Sequence, residues 1–179
     1  MRLEDHIKAA RTLCEEGAWA ELLKFAQNWH EQDPDEAKAL FYRGIALASL
    51  GRFSEAEASY RLALVKDPKD FKIWNNLAGI LFEAMDRPMD AARCLEQALK
   101  VEPQNKLGWS NLASMAGRMG HHEKALTFAE RAIAIDPQLV EAHLHRATAA
   151  KALGKPEIVR DACQHLATLE PTQFRRART

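Results

Sequence analysis

Histidines are the first residues to consider for chemistry, because an imidazole can bind a metal or transfer a proton near neutral pH. His143 and His145 are two positions apart, so on a helix they point to different faces and cannot share a metal. His121 and His122 are adjacent in a predicted turn, where solvated side chains are usual. The sequence therefore predicts no metal site.

No motif of a familiar catalytic chemistry accompanies these histidines. The chain contains no glycine-rich nucleotide loop, no H-E-x-x-H, no G-x-S-x-G and no C-x-x-C. Its three cysteines are far apart in predicted helices, as expected of reduced thiols and not of a disulfide framework. They are Cys14, Cys94 and Cys163. We predict a protein that is not an enzyme and that uses no cofactor.

Side-chain amides are the more informative polar groups. Asn76 and Asn111 occupy equivalent places in two similar segments, Trp74-Asn75-Asn76-Leu77-Ala78 and Trp109-Ser110-Asn111-Leu112-Ala113. An amide both donates and accepts hydrogen bonds, so it can pair with the backbone of an extended peptide. The chemistry that these residues suit is the binding of a polypeptide.

The elements that must position these amides form an internal repeat. An acidic residue followed by proline recurs five times, and successive prolines are 34, 35, 34 and 34 residues apart. A period of this size, built from two short amphipathic helices, predicts an all-α solenoid. We expect a single domain over residues 1–179, with repeats at about 3–36, 37–70, 71–105, 106–139 and 140–171 and a tail at 172–179.

The repeats differ in detail. The third is one residue longer than the others, and counting from both ends places the extra residue near Glu83–Asp86, which predicts a lengthened turn or a bulge. Ser54 and Glu57 have the spacing of a capping box at the start of a helix. Small residues recur where two helices must approach closely. On the first helices they are Ala10, Gly44, Ala78, Ala113 and Ala147.

Taken together, the tryptophan, the small residues and the closing acid–proline pair resemble the tetratricopeptide repeat (TPR). The resemblance covers about 170 residues by the count of five repeats of about 34. It implies a right-handed superhelix in which the first helix of each repeat lines a concave groove that binds peptides or partner proteins. The side chains that would line the groove are Lys38, Phe41, Tyr42, Lys72, Asn75, Asn76, Phe82, Leu107, Ser110, Asn111, Ser114, Arg118 and His145.

Proteins that resemble this one hold ligands in two ways. In one, a ladder of asparagines binds the peptide backbone, and here Asn76 and Asn111 would form a short ladder flanked by Tyr42 and His145. In the other, lysine, asparagine and arginine clamp an acidic C-terminal tail. Neither alignment of three successive repeats supplies that combination, so the clamp is disfavoured. Lys72 with Asn76 can still hold one carboxylate.

Composition narrows the class of partner and the compartment. The 25 basic and 25 acidic residues cancel, which argues against nucleic acid or an anionic membrane as the main partner. No apolar run approaches the roughly 20 residues of a membrane span. The charged start Met-Arg-Leu-Glu-Asp-His is unlike a secretory signal. These features predict a cytoplasmic protein without membrane insertion, as a monomer or weak homo-oligomer.

The leading hypothesis from the sequence is a non-enzymatic adaptor or scaffold that binds an extended peptide or a partner helix in the groove. Two alternatives stay open. One is a regulatory or substrate-docking segment of a larger enzyme, such as a transferase, or of a secretion or assembly chaperone. The other is a structural scaffold that self-associates through its end faces. The sequence does not identify the partner.

Overall fold

The structure is a computed structural model, and it describes residues 2–169. Within this range the regular secondary structure is helical, without strands, and its ten helices form five antiparallel pairs. The helices are α1 (Leu3–Glu15), α2 (Trp19–Gln32), α3 (Ala37–Ser49), α4 (Phe53–Lys66), α5 (Phe71–Glu83), α6 (Pro88–Val101), α7 (Lys106–Arg118), α8 (His122–Ile135), α9 (Val140–Ala152) and α10 (Pro156–Leu169). The predicted all-α helix–turn–helix architecture is therefore confirmed, whereas the predicted tail at 172–179 lies outside the described residues.

The pairs are uniform in length. Each first helix (α1, α3, α5, α7, α9) has 13 residues and each second helix has 14. Positions can therefore be compared between repeats by counting from the helix start. None of the described helices is both long and apolar enough to cross a membrane.

The pairs are grouped into two compact units. The first, Met1–Val101, contains α1 to α6, and the second, Glu102–Thr179, contains α7 to α10. Each unit has its own core of small and branched apolar side chains. The prediction of one continuous domain stays a prediction.

The turn within each pair is closed by one recurrent backbone hydrogen bond. The amide just before the second helix donates to the carbonyl of the eleventh residue of the first helix, at 2.8–2.9 Å in all five described repeats. A glycine with positive φ precedes that amide in four repeats. In the third repeat the connection has four residues instead of three, and Asp86 takes the left-handed conformation at φ 50°. The predicted lengthened turn near Glu83–Asp86 is confirmed.

A second recurrent bond explains the acid–proline pair and the tryptophan. The indole Nε1 of Trp74 donates to the carbonyl of Pro68 at 2.9 Å, and Trp109 does the same to Pro103. In the last repeat His143 occupies this position and its Nε2 lies 2.9 Å from the carbonyl of Pro137. Tryptophan and histidine are interchangeable here because both can present a ring N–H to the same carbonyl.

The small residues are placed where the two helices of a pair cross. Ala10, Ala78 and Ala113 on the first helices are almost fully buried. At the same position in the second repeat, a Cβ added to Gly44 would lie only 2.4 Å from the ring of Tyr60. Glycine is required there because the bulky tyrosine of α4 occupies the space that alanine fills elsewhere.

The predicted capping box of α4 is wrong. The helix begins at Phe53, so Arg52 is its N-cap, and no side chain caps it. Ser54 and Glu57 are consequently inside the helix. Glu57 forms ion pairs with Arg61 and with Arg87. The spacing matched the motif, but the turn bond from the Arg52 amide to the Leu47 carbonyl leads into a helix that begins two residues earlier.

Candidate peptide-binding surfaces

In the first unit, a lysine and an aspartate connect the starts of α3 and α5. Lys38 forms an ion pair with Asp70, and its ammonium lies 5.9 Å from the ring centroid of Phe41. Asp70 also caps α5 by accepting a hydrogen bond from the amide of Lys72 at 2.9 Å. The charge of Lys38 is thus compensated within the protein, whereas the side chain of Lys72 is exposed.

Two of the predicted groove residues, Phe41 and Tyr42, belong to the core. Each is 6% exposed. The ring of Tyr42 stacks with Trp29 at 6.3 Å, and Phe41 packs against Tyr60 at 6.2 Å. These aromatic contacts support the surface from below and leave little of either side chain for a ligand.

The exposed face of α5 combines amides with a bare stretch of backbone. Asn75, Asn76 and Phe82 are half-buried. The Nδ2 of Asn76 donates to the carbonyl of Lys72 at 2.8 Å, which directs its Oδ1 away from its own helix as an acceptor. One turn further along, a Cβ added to Gly79 would meet no atom within 4 Å. A ligand can therefore approach α5 closely at this point.

In the second unit, the predicted residues of α7 differ in exposure. Leu107 is 50% exposed, and Asn111 and Arg118 are also exposed, whereas Ser114 is half-buried. Ser110 is 3% exposed and so contributes to packing. The surface that α7 offers is thus an apolar group at its start, an amide in its middle and a cation at its end.

The neighbouring helix α9 adds two side chains to this face. His145 is half-buried, and burial lowers its pKa, an effect that Glu141 partly opposes. The imidazole is therefore neutral at pH 7, able both to donate and to accept. Leu144, which the sequence analysis missed, is 48% exposed. Its position on α9 is that of Ser110 on α7 and Asn75 on α5, and this equivalence could have identified it.

The structure brings the predicted residues together only within each unit. Those on α3 and α5 belong to the first unit, and those on α7 and α9 belong to the second. Asn76 and Asn111 lie in different units, so their predicted binding of one continuous peptide stays a prediction.

The thiols and the metal-binding side chains show no reactive arrangement in the part of the chain that the structure describes. No three His, Cys, Asp or Glu side chains in residues 2–169 are grouped to hold a metal ion. Cys14, Cys94 and Cys163 are unpaired. Burial raises the pKa of Cys94 to about 11 and also raises that of Cys14. These two thiols are thus protonated, and unreactive as nucleophiles, at neutral pH.

Comparisons with known sequences identify the repeat family and several related proteins. Family models described as "Tetratricopeptide repeat" match residues 37–70 and 76–140, together more than half of the chain. A curated relative, the Hsp70-Hsp90 organizing protein of Triticum aestivum, is 30% identical over 122 residues, which is 68% of this chain and 20% of that protein. The chain spans a fifth or less of the length of the curated relatives that it matches.

Solved structures share the fold at lower identity. PilF of Pseudomonas aeruginosa is 19% identical and has a TM-score of 0.85, covering 96% of this chain and 78% of that one. YrrB, a TPR protein described as having an unusual peptide-binding site, is 16% identical and has a TM-score of 0.73, covering 94% of this chain and 87% of that one. With five helix pairs, the recurrent tryptophan–proline bond and the family matches, the chain belongs to the tetratricopeptide repeat proteins.

Proposed function

We propose that this protein is a non-enzymatic adaptor that binds an extended peptide or a partner helix on the exposed faces of its first helices. The observation that carries the proposal is the set of solvent-accessible side chains on α5, α7 and α9. They offer an amide acceptor at Asn76, a cation at Lys72 and apolar groups at Leu107 and Leu144. A protein-interaction scaffold is also what the repeat family supports.

The binding mechanism is preorganised capture. The first helices are held by closed turns and by small-residue crossings, so their exposed side chains lose little conformational freedom when a ligand arrives. The Oδ1 of Asn76 accepts a hydrogen bond from a peptide amide, and Lys72 pairs with a carboxylate. Leu107 and Leu144 bury apolar side chains of the ligand in the second unit.

The comparisons are consistent with this function. The wheat relative is named as an organizing protein for two other proteins, and YrrB is described by its peptide-binding site. Because those matches are short or low in identity, they support the class of function and leave the ligand open. The unpaired thiols support the cytoplasmic location predicted from the sequence.

A docking segment of a larger assembly is the second candidate. It is favoured by the small share of each curated relative that this chain spans. In that case the same surfaces would recruit a substrate or subunit to a domain elsewhere.

The test is affinity capture with the native chain and with Lys72→Ala/Asn76→Ala/Asn111→Ala as baits, in lysate of the source organism. Captured proteins are identified by mass spectrometry. A matched control, Asn28→Ala/Lys100→Ala, removes an amide and a cation from exposed positions on the second helices. We expect at least one partner to be retained by the native and control baits and lost from the triple variant. Retention of every partner by a folded triple variant would contradict the proposal.

A further inference from the structure

A cleft lies between the second helices α4 and α6, on residues distinct from those of the proposed groove. It has a volume of about 360 Å³. The proposed groove means the exposed first-helix side chains that we propose bind peptides. Its apolar lining comes from α5 below and from the facing sides of α4 and α6: Leu64, Val65, Trp74, Leu77, Leu81 and Cys94. This volume falls in the lower part of the range of about 300–1,000 Å³ found for ligand pockets.

The equivalent place in the second unit is filled by an ion-paired arginine. Arg146 is the seventh residue of α9, as Leu77 is of α5. Its guanidinium binds Asp161 of α10 and lies 3.8 Å from Glu130 of α8, so it ties the two second helices together. Leucine is too short and too apolar to do this. The seventh residue of the first helix therefore closes the cleft in the second unit, where it is Arg146, and leaves it open in the first unit, where it is Leu77.

A second difference between repeats, a smaller side chain on the second helix, enlarges the space around Trp74. In the fourth repeat, the seventh residue of the second helix is Phe128, whose ring lies 5.9 Å from that of Trp109. In the third repeat the same position is Cys94. A thiol occupies far less volume than a phenyl ring, so one side of the Trp74 indole faces the cleft. Within the described residues no aromatic ring stacks on Trp74.

The rim of the cleft carries an excess of positive charge. Arg61 and Arg93 line it with a single carboxylate, Asp90, and Arg61 is itself paired with Glu57 at 2.6 Å. Asp90 is already bound by Arg87 at 2.7 Å, and Arg93 lies 3.5 Å from it with 73% of its side chain exposed. At the positions of Arg61 and Arg93, the closed cleft of the second unit has Glu130 and Asp161. The open cleft thus differs from the closed one in charge as well as in volume.

We propose that this cleft is a second protein-binding site, for a segment of another protein that inserts a large apolar side chain next to a carboxylate. The apolar side chain packs on the half-buried Trp74 and on Val65, which is 77% exposed, above the buried floor that Leu77 forms. The carboxylate pairs with Arg93 at the rim. The segment 171–179 of this chain contains three arginine and no acidic side chains, so its side chains do not match the charge of the rim.

Such a site would give the chain two binding surfaces on different helices. The proposed groove uses the first helices, whereas the cleft opens between second helices of the first unit. One partner can then be held on each surface at the same time. The cleft also functions independently of whether the proposed groove binds peptides.

The experiment selects binders to the native 179-residue chain from a phage-displayed library of random dodecapeptides, and titrates the enriched peptides by fluorescence anisotropy. Arg93→Glu reverses the charge at an exposed rim position without touching the core. Cys94→Phe fills the cleft with the residue that the fourth repeat carries. Lys100→Glu is the matched control, because it makes the same charge change on an exposed residue of the same helix.

We expect enriched peptides to place Leu, Met, Phe or Trp within two residues of Asp or Glu. Their affinity should fall at least tenfold for Arg93→Glu and for Cys94→Phe, and less than twofold for Lys100→Glu. It should be unchanged in Lys72→Ala/Asn76→Ala/Asn111→Ala, which separates this site from the groove. Circular dichroism checks that Arg93→Glu is folded, and the charge result then stands even if Cys94→Phe does not fold.

Several results would overturn the proposal. They are a library with no enrichment, enrichment of basic or purely apolar peptides, and affinities that both cleft variants leave unchanged. Sedimentation velocity of the native chain alone provides a further check. A dimer that is lost in Arg93→Glu would make a second copy of the chain the occupant, and that result would also overturn it.

Discussion

The third and the last repeats have matching helices and recurrent hydrogen bonds but contrasting interiors. Each pairs a helix of 13 residues with one of 14, and each has the turn bond and the ring-to-proline bond in the same places. Inside that frame, the third repeat has Trp74 and Leu77 where the last has His143 and Arg146. One leaves an apolar cleft with arginines at its rim, and the other closes the space with an ion pair.

The comparison shows which features of the repeat are exchangeable. The ring N–H of the fourth residue of the first helix recurs, and so does the amide just before the second helix. Each pairs with a specific backbone carbonyl. The side chains at the seventh position vary, since that space can be filled by an internal arginine or left for a ligand. Four measurements break or sharpen this contrast.

The largest effect is expected from Trp74→Ala. It removes a large ring and leaves the carbonyl of Pro68 without its donor, so the free energy of unfolding should fall by about 3 kcal/mol. Trp74→His should lose less than half as much, because His143 makes the equivalent bond in the last repeat. Urea titration followed by circular dichroism measures both. Equal losses would show that the ring-to-proline bond contributes little.

The second-largest change in the free energy of unfolding is expected at the eleventh residue of the second helix. Ala98 is fully buried in the third repeat, whereas the last repeat has a half-buried Leu166 at the same position. Ala98→Leu should overpack the crossing and lower the free energy of unfolding by about 1–3 kcal/mol. The reciprocal Leu166→Ala should cost about 1 kcal/mol, because half of that side chain is already in water. A neutral Ala98→Leu would mean that the third repeat can widen to accept the leucine.

Substitutions in the turns should change the melting temperature by smaller amounts and in opposite directions. Asp86 has φ 50° in the third repeat, and Gly154 has φ 67° in the last. Asp86→Gly should raise the melting temperature slightly, by relieving a conformation that costs an L-residue about 1–2 kcal/mol, partly offset by the entropy of glycine. Gly154→Asp should lower the melting temperature for the same reason. A decrease in both variants would point to a role for the Asp86 side chain beyond its backbone.

The smallest expected effect is on the dependence of stability on pH. A hydrogen bond from Arg146 holds the pKa of Asp161 below its ordinary value. The folded-state pKa is thus lower than the unfolded one, so this contribution is present above about pH 4 and disappears as the pH falls through the folded value. Because Asp161 is half-exposed, solvent screens the pair and the contribution is small.

Arg146→Leu gives the last repeat the residue of the third and tests this point. The fall in melting temperature between pH 6 and pH 3 should be shallower in the variant than in the native chain. Arg160→Leu, which removes an exposed arginine from α10, the helix of Asp161, is the control and should keep the native slope. An unchanged slope in Arg146→Leu would place the acid sensitivity in other carboxylates.

Sequence reasoning was most successful where one residue acts through its own backbone or through a fixed spacing. The five helix pairs followed from the acid–proline period, and the longer turn near Asp86 followed from one extra residue in that period. It was weaker for the binding surface. Phe41, Tyr42 and Ser110 have the spacing of groove residues but are buried, because neighbouring aromatic rings and helices cover them.

The sequence by itself determined the repeat, its helix lengths and its turns, since these depend on local hydrogen bonds and on small residues at regular intervals. Only the tertiary structure decided which of the equivalent spaces between second helices is open. Leu77 and Arg146 occupy the same position of the repeat, and either could have been a core residue or a surface one. The difference depends on what faces them from two other helices, arginines in one case and carboxylates in the other, and such contacts are distant in the sequence.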